Sequence, residues 1–333
     1  MNKRERSRML RREFIAGLGS AAAWPVTAQA QQSGMPVIGF LGNEPLDADR
    51  LRGFRQGLSE TGFVEGRNVL IEYRWAGPQV DRLPTLADDL VRRQVAVIAT
   101  SGGAVPALAA KAATTTIPIV FSTAVDPVSR GLVVSLNRPG SNLTGVTTLG
   151  TELMPKALGL LHEAVPAATI IALLVNPTYP VVVEPLLREM QAPAQALGLH
   201  LHVLHASTER EFDAVFLTLV QLQAGGLVIS GNPFFANRMK LLAALALRHA
   251  VPTIASVPQF ASAGGLMGYG GSGLDSYRLV GTYTGRILKG EKPADLPVQQ
   301  ATKIDLVINL NTAKALGLTI LETLLATADE VIQ

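Results

Sequence analysis

The sequence predicts an α/β protein of two doubly wound lobes, each a parallel sheet with helices on both faces. Three observations carry that prediction. The chain is 333 residues long, more than one ordinary domain needs and enough for two. Hydrophobic residues make up 48% and charged residues only 17%, so there is apolar side chain to fill large cores, while aromatic residues are scarce at 5%. From residue 35 onward, short apolar runs alternate with amphipathic segments of helical period, the pattern of repeated strand–helix units rather than of an all-β fold.

The units follow in order. Val37 to Leu41 is an apolar run suited to a buried parallel strand. Residues 47–61 place Leu51, Phe54 and Leu58 on one helical face, and Gly62 closes that helix. Residues 69–75 alternate as a strand, 82–93 read as a helix and 95–100 as a strand. Helix 105–113, strand 117–121 and a short strand over 143–146 complete the first series. The second series opens with an amphipathic stretch over 152–164 and continues with strand 170–175. Helix 181–197 carries Pro185 and Pro193, which blur its limits. Strand 201–205, helix 209–223, strand 226–230, helix 237–249 and strand 253–256 come next. Strand 266–269 with helix 275–288, then strand 303–309 with helix 312–318, supply two last pairs.

The first thirty residues read as an export signal. A basic segment over 1–13 precedes the apolar run from Phe14 to Val26, and Ala28-Gln29-Ala30 supplies the small residues of a cleavage site before Gln31. Arg11-Arg12, followed by Glu13-Phe14-Ile15, resembles a twin-arginine export motif. The apolar run falls short of the roughly 20 residues that span a bilayer. Six basic residues against two acidic give this segment +4, so the remainder carries −1 of the +3 total. The basic character thus belongs to the leader, and no nucleic-acid or membrane-surface partner follows from it. Cleavage after Ala30 and a soluble protein in the periplasm are expected.

Several chemistries find no residues to carry them. With no cysteine, a disulfide framework, a thiolate zinc site, a thiol nucleophile and a lipidated N-terminus are excluded. Beyond the leader there is no G-x-S-x-G elbow, H-E-x-x-H helix or Walker loop. His200, His202 and His205 cluster on one strand, but alternation splits them between its faces, and no acidic partner stands at ligand spacing. No catalytic residue, metal or cofactor is expected.

In open α/β sheets a ligand sits beyond the carboxyl ends of the strands. The segments in that position share small hydroxyls, amides, an occasional acid and a few aromatics, a lining for a polar solute with an apolar part. After the first strand come Asn43 and Glu44, after the third Ser101 and Gly102, and after the fourth Ser122, Thr123 and Asp126. In the second series the candidates are Asn176, Tyr179, Asn232, Phe234 and Tyr269. Asp126 would accept from a ligand ammonium, and Ser101 with the amides after it would hold a carboxylate. Tyr179, Phe234, Phe235 and Tyr269 would sandwich a ring. The plainer alternative is that Asn-Pro and Asp-Pro pairs start turns and cap helices.

The runs P-V-I-G-F-L-G, F-R-Q-G-L-S-E-T-G-F-V-E-G-R-N-V-L-I-E-Y-R-W-A and D-P-V-S-R-G-L-V-V-S-L-N-R-P-G-S-N-L-T-G-V, with A-A-K-A-A-T-T-T-I-P-I-V-F and L-V-N-P-T, resemble the tryptophan/tyrosine-type ABC transporter substrate-binding proteins. The resemblance runs from about Met35 to the C-terminus. It implies a type I periplasmic binding fold with three hinge crossings and a ligand between the lobes. The implied segments are 35–147 plus 264–290 for the first lobe and 148–263 plus 291–333 for the second. Relatives of this type bind aromatic amino acids, and the contacts implied here are Ser101, Ser122, Asp126, Asn176, Asn232 and Tyr269. The implied role is non-catalytic solute capture for an ABC importer, as a monomer, with a small-molecule ligand and an inner-membrane permease as partners. A ligand-sensing receptor module, or an enzyme using Asp126 or Glu44 as base, are the rival readings. One departure stands out: Gly42-Asn43-Glu44-Pro45 replaces a Ser/Gly-rich loop, and an acid at the cleft mouth would alter ligand preference.

Overall fold

The computed structural model describes residues 34–148, 150–301 and 303–333, so the leader and its expected cleavage site lie outside the described residues. The first series runs β1 (Val37–Gly42), α1 (Ala48–Glu60), β2 (Leu70–Trp75), α2 (Leu83–Arg92), β3 (Val97–Ser101), α3 (Ala104–Ala113), β4 (Ile119–Thr123) and β5 (Leu143–Thr147). The second runs α4 (Met154–Ala164), β6 (Ile170–Val175), α5 (Pro180–Ala196), β7 (His200–His205), α6 (Phe212–Gln221), β8 (Gly226–Ile229), α7 (Pro233–Ala236), α8 (Met239–Arg248), β9 (Thr253–Ala255), α9 (Gln259–Ser262) and β10 (Met267–Gly271). The chain then forms α10 (Gly273–Leu288), β11 (Gln299–Gln300), β12 (Ile304–Asn309), α11 (Leu310–Ala315), α12 (Glu322–Leu325) and β13 (Glu330–Ile332). No described helix is long and apolar enough to cross a membrane.

The strands form two sheets, ordered β11-β5-β4-β3-β1-β2 and β13-β12-β10-β9-β8-β6-β7. Every pairing between named strands is parallel except β10 with β12. Alternation along the strands feeds a core on each face, as a doubly wound sheet requires. In β3, Ile98 enters one cluster with Leu83 and Leu90, while Val97 and Ala99 enter the other with Phe54 and Tyr277. In β6, Ile171, Leu173 and Val175 pack under α4 and α5, and Ala172 and Leu174 pack under α6 and α8.

The chain passes between the sheets three times, between β5 and β6, between β10 and β11, and between β11 and β12. These passages lie side by side: a Cβ added at Gly271 would sit 3.6 Å from Thr148 Cγ2 and 3.7 Å from the Lys303 carbonyl oxygen. Pairing also places segments that hydropathy alone left free. β10 bonds to β9 and β12, so it belongs to the second sheet and not with the expected 264–290 segment of the first. β11 bonds to β5, so the first sheet reclaims residues from the expected 291–333 segment. The helix expected over 237–249 is α8, and a further single turn, α7, precedes it where a loop was expected; the two are separated at Asn237-Arg238, where Arg238 leaves helical geometry at φ −121°, ψ 18°.

α1 and α10 pack with their backbones in contact. A Cβ at Gly53 would overlap the Leu274 carbonyl oxygen, one at Gly57 that of Arg278, and one at Gly281 that of Phe54. The spacing Gly53-x-x-x-Gly57 against Gly281-x-x-x-Gly285 lays four side-chain-free positions along one seam. This seam brings the N-terminal turns of both helices to the same end of the first sheet.

Candidate functional site

Where the carboxyl ends of the two sheets face each other, the chain encloses a cavity of about 170 Å³. Its wall takes residues from the ends of β3, β4, β6, β8 and β9 and from the first turns of α1 and α10. On the first-lobe side, Gly102 and Gly103 turn from β3 into α3 with φ of 92° and 94°, a left-handed pair that any side chain would strain. A Cβ at Gly102 would also lie 2.9 Å from Asn43 Nδ2. Gly103 is the N-cap of α3 and offers no side chain, so the first amide groups of that helix have no side-chain cap.

Six of the twelve predicted residues line the cavity: Gly102, Ser122, Thr123, Asn176, Tyr179 and Asn232. Asn176 Oδ1 accepts from Thr178 N–H at 3.0 Å and from its hydroxyl at 2.8 Å, and Asn232 Oδ1 accepts from Phe234 N–H at 2.9 Å. Each turn thereby holds its amide nitrogen as the remaining donor. Burial, reinforced by the Glu44 charge, pushes the Tyr179 hydroxyl up to about 12, so it stays a neutral donor and acceptor.

The other six stand elsewhere. Asp126 turns its carboxylate back on its own loop, Oδ1 accepting from Val128 N–H at 2.9 Å and Oδ2 from Ser129 N–H at 3.2 Å. Phe234 packs on Phe212 and Phe235, with the Arg238 guanidinium 4.1 Å above its ring. Tyr269 pairs with Leu306 across β10 and β12 and packs against the core beneath α4 and α5. Ser101 and Asn43 lie behind the wall: Ser101 reaches the buried Tyr277, and Asn43 Nδ2 donates to the Gly102 carbonyl at 3.2 Å, with its Oδ1 buried and without a hydrogen-bond partner.

Glu44 bridges the lobes. Its Oε2 accepts from Arg238 Nη1 at 2.8 Å and from Asn237 Nδ2 at 3.2 Å, and Asn237 Nδ2 also donates to the Pro45 carbonyl at 3.0 Å. Arg238 is held from behind by Glu209 at 2.8 Å and by the Phe234 carbonyl at 3.0 Å. This cluster joins the loop after β1 to the break between α7 and α8.

Sequence reading missed the cavity-lining residues that lie within helices or beyond the loops searched: Arg50 in the first turn of α1, Ser276 and Tyr277 in α10, Ser230 at the end of β8, and Phe260 in α9. Burial pushes the Tyr277 hydroxyl up, against the opposing pull of Arg50 and of the Ser101 and Ser122 hydroxyls. Among the described residues of the wall, Arg50 is the one that carries a formal charge at neutral pH.

Residues 34–332 match the model of a family described as ABC transporter substrate binding protein. A curated relative, the tyrosine-binding protein of Clostridioides difficile strain R20291, is 25% identical over 307 residues, which is 88% of this chain and 83% of the relative. A solved domain from Streptococcus pneumoniae in complex with L-Trp superposes with a TM-score of 0.76 at 23% identity, over 90% of this chain and all of that one. The ligand-free, open structure of a substrate binding protein with adhesive properties from Clostridium difficile gives 0.60 at 24% identity, over 90% of this chain and 99% of that one. The two-lobed arrangement is that of the type I periplasmic binding proteins, shared with leucine- and sugar-binding structures.

Proposed function

Because the chain belongs to the ABC transporter substrate binding protein family, we propose that it captures an amino-acid-like solute with an aromatic or apolar part for an ABC importer and performs no chemistry on it. The observation that carries this reading is the cavity itself, enclosed by strand ends of both sheets and lined by hydroxyls, amides and aromatic rings. The tyrosine-binding relative and the L-Trp complex support the choice of solute class. The lobes are taken as 35–147 with 273–300 and 150–271 with 303–333, hinged at the three passages. Solute would dock on one lobe and be enclosed as the other closes, and the closed form would be presented to an inner-membrane permease. Export to the periplasm with cleavage after Ala30 belongs to the same reading, as does a monomeric chain.

The test is calorimetric and thermal titration of the chain with tyrosine, tryptophan, phenylalanine and leucine, with product analysis after incubation. Saturable one-site binding is expected, with stabilisation of about 2.7 kcal/mol at a hundredfold excess of free solute over Kd. Absence of stabilisation by every amino acid, or conversion of one to product, overturns the proposal.

A further inference from the structure

Arg50 is set into the cavity wall by its neighbours. Its side chain is 17% exposed, Asp47 Oδ2 lies 3.4 Å from its Nε, and its Cζ stands 5.9 Å from the centre of the Tyr277 ring. Gly273 provides the space: a Cβ there would come within 3.2 Å of Arg50 Nε and 3.3 Å of its Cγ. The position opposes the helix dipole, since Arg50 stands in the first turn of α1 where cations are disfavoured. A largely buried cation needs an anion. Asp47 meets that need on one side only, because its Oδ1 accepts from the Arg50 backbone N–H at 2.9 Å and its Oδ2 approaches Nε alone. A guanidinium has five N–H donors, and its Nη fork matches a planar carboxylate.

We propose that Arg50 is the residue that receives a carboxylate of the bound solute, and that the cavity therefore selects small carboxylic acids over the corresponding amides. The inference rests on the reading of the cavity as a solute site and adds the charge that the site demands. The same wall carries the Ser122 hydroxyl and the uncapped first amides of α3 beside Gly102 and Gly103. These donors all belong to the first lobe. The second lobe contributes Tyr179, Phe235 and Phe260 together with neutral donors, the Asn176 and Asn232 amides and the Ser230 and Ser256 hydroxyls, but no charge. The acid end of the solute therefore docks on the first lobe, whose wall carries the cation. A guanidinium serving only as an ion-pair partner of Asp47 would influence stability but not the charge preference of the ligand.

The experiment is calorimetric titration of the full chain and of Arg50→Gln, Arg50→Lys and Gly273→Ala with three matched pairs: tyrosine and tyrosinamide, tryptophan and tryptophanamide, benzoate and benzamide. The wild type is expected to favour the acid of the pair it binds. Arg50→Gln weakens that acid about 10- to 100-fold, the range for a hydrogen bond to a charged group, and leaves the amide unchanged. Arg50→Lys restores part of the preference, and Gly273→Ala, which keeps the charge but crowds it, weakens the acid several-fold. An Arg50→Gln chain that keeps the acid-over-amide ratio overturns the inference, as does a wild type that prefers the amide or binds none of the acids. Benzoate bound through Arg50 with no amino acid bound upholds the inference and overturns the amino-acid reading. Tyrosine or tryptophan bound with a ratio indifferent to Arg50 does the reverse.

Discussion

Asp126 engages both carboxylate oxygens within its own turn, on the amides of Val128 and Ser129. Asp126→Asn is therefore expected to leave solute affinity within about twofold while lowering stability by about 0.5–1 kcal/mol, the cost of weakening one local hydrogen bond; calorimetry alongside a urea melt separates the two effects. Tyr179 gives a second prediction. Its hydroxyl is held at about 12 against the ordinary 10, so the native state keeps a proton that the unfolded chain releases. That stability is complete below pH 10 and is lost as pH rises from 10 to about 12, amounting to about 2–3 kcal/mol at the upper end. Tyr179→Phe should remove this component of alkaline destabilisation in melts between pH 9 and 12. The residue scale is also where sequence reading reached only part of the site. Asp126 follows a strand end, as a ligand contact should, yet the Asp-Pro pair that marks the turn also fixes where its oxygens point. Arg50 lies inside a helix, outside the loops where contacts were sought; the available signal was a cation in a first turn, set against the dipole.

The seam between α1 and α10 is the element on which the first lobe depends most directly. Gly57→Ala would press a Cβ into the Arg278 carbonyl oxygen, and overpacking of this kind costs about 1–3 kcal/mol. A lower denaturation midpoint is the expected result, with solute affinity reduced as well, since the seam sets the spacing between Arg50 and Gly273; an unchanged midpoint would mean the helices part freely. At this scale the sequence was legible where apolar runs were long. Val37 to Leu41 and Ile170 to Val175 announce buried strands because both their faces are covered. The Gln299–Gln300 strand is two exposed polar residues, and hydropathy gives no reason to pair it. The helix α7 escaped for a related reason: four residues are too few to show a helical period, and Asn232-Pro233 reads equally well as the start of a turn.

Across the whole molecule, the Glu44–Arg238 contact ties the lobes together at the rim of the cavity and outside its wall. In the proposed hinge motion this contact would favour the closed arrangement with or without solute, and apparent affinity would scale with the fraction of chains able to close. Glu44→Gln should weaken binding about two- to fivefold, mainly through faster release, with a smaller loss at high salt where the wild-type pair is already screened; stopped-flow release rates in low and high salt read both effects. The three passages between the sheets have a consequence for how the protein comes into being. Since α10 and β11 return to the first sheet only after the second has been almost wholly traced, neither lobe is one continuous stretch of chain. A nascent polypeptide ending at Thr147 would leave the sheet face bearing Ala99, Val120 and Val146 without the Tyr277, Val280, Tyr283 and Ile287 that share its core. The N-terminal half must wait, incomplete, for residues 273–300 to emerge, so a truncated product should aggregate and should become soluble when that later segment is supplied as a separate peptide.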